Sequence, residues 1–106
     1  MIAFTPSPPY YAVIFTSVKT DDDSGYAEMA RFMENLVVNQ PGYLGHESAR
    51  SELGITVSYW ESLEAIAGWK NQLAHRNAQK KGKEQWYASY RIRVCFVERE
   101  YGFPNT

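Results

Sequence analysis

The chain has 106 residues, 44% hydrophobic, 15% aromatic and 22% charged, with a formal net charge of −1. That length excludes a second hydrophobic core and that apolar content excludes disorder, while the near-neutral charge excludes a general electrostatic attraction to nucleic acid or an anionic membrane. A lone cysteine, Cys95, excludes an internal disulfide and a cysteine-based metal site, and no apolar run is long enough to span a bilayer.

The opening "MIAFTPSPP" lacks a basic stretch followed by a long apolar one, so we do not expect a signal peptide, and the cytoplasm is the expected location. Its prolines predict an extended arm over residues 1–9, ahead of a single domain over 10–106. "YYAVIFTSV" (10–18) is rich in β-branched and aromatic residues and predicts a strand. "TDDDSG" follows, and its carboxylates and serine suit the positive end of a helix, although the capping residue is not evident. In "YAEMARFMENLVV" the residues Met29, Phe32, Met33, Leu36 and Val37 recur at helical spacing and predict one apolar stripe. "NQPG" ends that helix.

"GYLGHESAR" (42–50) is a weaker strand with two glycines, "SELG" a turn, and "ITVSYWE" (55–61) a stronger strand, which together predict an antiparallel hairpin. "ESLEAIAGWKNQL" returns to helical spacing, with Ser62 as N-cap and Leu63, Ile66, Trp69 and Leu73 as its apolar edge. After a polar helical segment, "SYRIRVCFVEREYGF" (89–103) alternates, with Tyr90, Ile92, Val94 and Phe96 on one face and Arg91, Arg93, Cys95 and Val97 on the other.

The order β-α-β-β-α-β predicts a ferredoxin-like α+β fold, one antiparallel sheet with both helices on one side. The second face of the sheet, half apolar through Cys95 and Val97, is then left uncovered, and a homodimer joined through the sheet faces is expected.

The segments "PGYLGHES", "YWESLEAIAGW", "HRNAQKKGKEQWYASYRIRV" and "VEREYGF" resemble the antibiotic biosynthesis monooxygenase family of small dimeric α+β barrel proteins, over residues 10–103. The segment 75–94 is similar to a particular bacterial subgroup. The resemblance implies the fold, and it implies as candidate activities the oxidation of phenols or quinols by dioxygen without metal or flavin, haem degradation, or binding without turnover. The haem-degrading branch carries an asparagine on the first strand and a Trp–Trp–His spacing. Trp60 and Trp69 match the two tryptophans, whereas Phe15 or Thr16 replaces the asparagine and Gln79 stands where the histidine should be.

His75, Ala78, Gln79 and Gly82 share one helical face, and Trp86 continues it. Two readings of that face stay open: a polar-lined cavity beside the sheet, or small residues that let helix and sheet approach closely. On the first, His75 is the candidate base, since an imidazole titrates near neutrality. Tyr90 is then an orienting hydrogen-bond donor, and Trp60, Trp69, Gln79 and Trp86 bind an aromatic substrate with no cofactor. His46 and Glu47 are neighbours on a strand and point to opposite faces, so they cannot form a dyad with each other. No metal site is expected from two histidines without ligand spacing.

Overall fold

A computed structural model describes residues 1–74 and 84–104. Its elements are β1 (Tyr10–Lys19), α1 (Tyr26–Val37), β2 (Tyr43–Arg50), β3 (Gly54–Trp60), α2 (Leu63–Ala74) and β4 (Tyr87–Val97). The strands form one sheet in the order β2-β3-β1-β4, and every neighbouring pair is antiparallel. This is the ferredoxin-like β-α-β-β-α-β fold that the element order predicts.

Ser62 caps α2: its Oγ accepts the backbone N–H of Ala65 at 3.0 Å. The start of α1 differs from expectation. No side chain caps it. Gly25 occupies the N-cap position with φ of 77°, and a Cβ there would lie 3.3 Å from the Trp86 ring. The acidic run instead builds the turn before the helix, where Asp22 Oδ1 accepts the N–H of Ser24 at 2.9 Å. After α1, Gly42 has φ of 82°, and its carbonyl accepts the N–H of Glu61 at 2.9 Å. A Cβ on Gly42 would stand 2.5 Å from that of Ala65, so glycine is what lets the entry to α2 come this close.

β4 stops at Val97, short of the predicted end. The following chain turns toward the arm, and Glu100 accepts a hydrogen bond from the Tyr10 hydroxyl at 2.9 Å. Residues 1–9 carry no strand or helix, yet the Ala3 N–H donates to Glu47 Oε2 at 2.9 Å. Tyr59 donates to the other Glu47 oxygen at 2.5 Å. The arm thus anchors on one end of the helix-free sheet face.

Register decides which side chains meet the helices. Val13 opposes Ser58 and Val94, Phe15 opposes Thr56 and Ile92, and His46 opposes Ser58. These share the helix side, so His46 and Glu47 do point to opposite faces. Trp60 is fully buried at one end of this layer, its indole N–H on Ser58 Oγ at 2.9 Å. Trp86 is buried at another point, its N–H on the Ser24 carbonyl at 2.6 Å.

Candidate active site

Between the helices and the sheet lies a cavity of about 730 Å³, within the range that takes small organic ligands. Its origin is visible in the residues. The sheet supplies Ser48, Thr56 and Ser58 and α1 supplies Ala30, all too small to fill the layer. The walls are mainly apolar: Val13, Phe15, Met29, Met33, Ile92 and Val94 line it with Trp69. Trp69 stacks at 27° on the buried Trp60, with centroids 6.3 Å apart, so the inner tryptophan fixes the outer one.

The helix stripes are correspondingly shifted. On α1 the cavity receives Tyr26, Met29, Ala30, Met33 and Val37, while Phe32 is exposed. On α2 it receives Ile66, Trp69 and Leu73, while Leu63 is exposed. Ile92 and Val94 keep about half their surface exposed although they lie on the helix side, because the cavity lies over them.

Besides Lys70 and the small hydroxyls of the sheet, two polar clusters interrupt the apolar wall. In the first, the Tyr43 hydroxyl lies against His46 Nδ1, and His46 Nε2 is 3.7 Å from Glu34 Oε1. Residues three apart on a regular strand face opposite ways. Here the pairing shifts between Tyr43 and Gly45, so Tyr43 opposes Trp60 and His46 opposes Ser58 on the same face. Burial, and then the charge of Glu34, hold the Tyr43 phenol above its ordinary range. The phenol therefore stays protonated. His46 is thus held between a phenolic hydroxyl at Nδ1 and a carboxylate near Nε2, and the tautomer decides which ring nitrogen donates.

The second group is Arg50 with Tyr26 and Tyr87. The guanidinium donates to Ser17 Oγ, and the two phenolic oxygens are 3.4 Å apart. Burial is the main cause that pushes the Tyr87 phenol up, followed by its bond to Tyr26, and Arg50 opposes the shift only in part. Among the described residues no cluster of three or more His, Cys, Asp or Glu could hold a metal ion.

The residues singled out in the sequence are distributed unevenly about this space. Trp69 lines it and Trp60 backs it. Trp86 is not among the lining residues and packs on Tyr26 at a centroid distance of 6.1 Å. Tyr90 touches the Phe15 ring at 5.3 Å and lines a shallow groove with Ser17 and Arg91, whereas Tyr87 lines the cavity itself. His75 and Gln79 lie outside the described residues. Of Phe15 and Thr16, the two positions expected to replace the asparagine of haem degraders, Phe15 is an apolar wall residue. His46, Tyr43, Glu34 and Arg50 have no short motif to announce them. Only the irregular glycine-containing β2 hinted that its side chains do something other than pack.

A four-stranded ferredoxin-like sheet with helices held off it by a largely apolar cavity defines a small α+β domain with an internal space. The sequence pattern of the antibiotic biosynthesis monooxygenases matches residues 9–81, and the chain belongs to that family. It is 52% identical over 98 residues to the uncharacterized protein YqjZ of Bacillus subtilis, covering 91% of this chain and 86% of that one. The fold is shared with PA3566 of Pseudomonas aeruginosa at a TM-score of 0.69 and 14% identity, over 87% of this chain and 97% of the other. It is shared equally with SnoaB, a cofactor-independent oxygenase of Streptomyces nogalater. There the TM-score is 0.69 at 12% identity, over 92% of this chain and all of SnoaB.

Proposed function

We propose that the protein is a cofactor-independent monooxygenase acting on an aromatic phenol or hydroquinone held between the helices and the sheet. The observation that carries this reading is the largely apolar cavity with an ionisable group set in its wall. SnoaB, which has the same fold, is itself a cofactor-independent oxygenase. Such chemistry asks little of the protein beyond deprotonation, orientation and exclusion of water. A base removes the phenolic proton, and the electron-rich anion gives electrons to dioxygen. A C–O bond forms on the ring, the O–O bond breaks, and the ring C–H proton is lost. One oxygen remains as the new carbonyl and the other leaves as water.

His75 is the base expected from the sequence, and His46 is the imidazole on the described wall. Trp69, backed by Trp60, forms the aromatic wall, with Gln79 as a further substrate contact, whereas Trp86 packs outside the cavity on Tyr26. Tyr87 is better placed than Tyr90 for an orienting donor, since it lines the cavity and burial keeps its hydroxyl protonated. We also propose a homodimer joined through the helix-free sheet face, where Val18, Ile55, Arg91 and Arg93 are exposed.

Oxygen uptake with a panel of phenols and hydroquinones tests the reading. Uptake is expected from the wild type, with a fall of about 10²–10⁴-fold in whichever of His75→Ala and His46→Ala removes the base. Turnover undiminished in both single variants and in the double variant contradicts the base step. Binding without uptake on any substrate makes the protein a non-catalytic binder.

A further inference from the structure

At the Tyr87 end of the cavity stands a guanidinium, that of Arg50, to which the proposed oxidation assigns no role. Arg50 closes β2, and its guanidinium donates to the hydroxyl of Ser17, a residue only 1% exposed on the central strand β1. The side chain lies across Gly54, its register partner on β3. Any Cβ at position 54 would collide with the guanidinium, so glycine there keeps the path open. The Tyr26 ring lies 6.0 Å from Arg50 Cζ, and Tyr26 and Tyr87 bring two phenolic hydroxyls to the same end.

No carboxylate among the described residues pairs with this guanidinium. Lys19, whose ammonium lies 4.1 Å from the Tyr26 ring centroid, is paired with Asp23. A guanidinium carries five N–H donors in a planar fork that matches a carboxylate, and Ser17 takes only one bond. Arg50 is thus anchored by one protein hydrogen bond, exposed, with its other donors facing solvent at the edge of a largely apolar space. His46 lies on the same face of β2, four residues away, about 13 Å along the strand. Between them the sheet contributes the small hydroxyls of Ser48 and Thr56, and Phe15, Met29 and Met33 make the wall otherwise apolar.

We propose that Arg50 receives the carboxylate of an elongated aromatic ligand whose ring system fills the cavity toward His46. The substrate class is thereby narrowed from phenols in general to ring systems larger than one ring that carry a carboxylate at one end. The inference rests on the cavity being the ligand site, as in the function proposed above, but it does not need turnover.

A matched pair of probes, anthracene-2-carboxylate and the neutral anthracene-2-carboxamide, separates charge recognition from apolar burial. Fluorescence titration of the full chain is expected to show the carboxylate bound about 10-fold more tightly than the amide, the scale of a charge-assisted contact at a partly exposed site. Arg50→Gln should bring the two to parity by weakening the carboxylate alone. Arg50→Lys, which retains the charge without the fork, should restore part of the preference. Equal binding of the pair to the wild type, or equal weakening of both by Arg50→Gln with full preference in Arg50→Lys, overturns the proposal and leaves the cavity as a ligand site. Binding of neither probe overturns both.

Discussion

Glu47 shows how a single carboxylate ties three parts of the chain together. It accepts from Tyr59 on β3 at 2.5 Å and from the arm at Ala3 at 2.9 Å. The Tyr59 bond first, and then the Ala3 N–H, hold its carboxyl below the ordinary range. A folded-state value below the unfolded one adds stability that is complete above the unfolded pKa, about 4.3, and is lost as pH falls through the folded value. Glu47→Gln should therefore lower stability at pH 7 by about 1 kcal/mol in urea unfolding, and the deficit should shrink below pH ~4. A deficit unchanged with pH would show that the carboxylate charge is not what these bonds hold. Gly42 makes a second case at this scale. With φ of 82° and only 2.5 Å available to a Cβ, Gly42→Ala should cost more than ~1 kcal/mol and lower the melting temperature by several degrees.

At the scale of elements, the parts written in local patterns were legible. β-branched and aromatic enrichment marked β1, alternation marked most of β4, and Ser62 announced the start of α2. Ser62→Ala should cost about 1 kcal/mol, measured by thermal melting, because it leaves the Ala65 N–H without its partner. The acidic run before α1 misled as to capping, since Gly25 turns the chain there in a left-handed conformation that suits contact with Trp86. The apolar spacing of α1 predicts Phe32 inside, but the helix is rotated so that Ala30 and Tyr26 line the cavity and Phe32 is exposed. The polar groups of the site were the least legible part. Tyr43 and His46 meet only because β2 shifts its pairing, and a one-residue irregularity at a strand edge leaves no periodic trace. Arg50 is distant in sequence from Ser17 and Tyr26, and only the sheet register brings them together.

For the whole molecule, the layer between helices and sheet is occupied largely by a cavity and not by packed side chains. Fully buried residues such as Trp60 and Ser17 sit at its margins. β4 is an edge strand with Tyr90 and Phe96 more than half exposed outside the cavity, and the helix-free face presents Val18 and Ile55. Such an edge and face favour self-association. Sedimentation should give twice the chain mass of 12.2 kDa at micromolar concentration. A mass of one chain would contradict association through the sheet.

The most direct test of the cavity as the ligand site is to fill it. Ala30 lines it from α1, and Ala30→Phe adds apolar volume there without removing any contact. Fluorescence titration with anthracene-2-carboxamide reads the result, with the melting temperature as control. A folded variant, as stable as the wild type or more so, that binds the probe at least 10-fold more weakly is the predicted outcome. Undiminished binding in that folded variant would contradict the account.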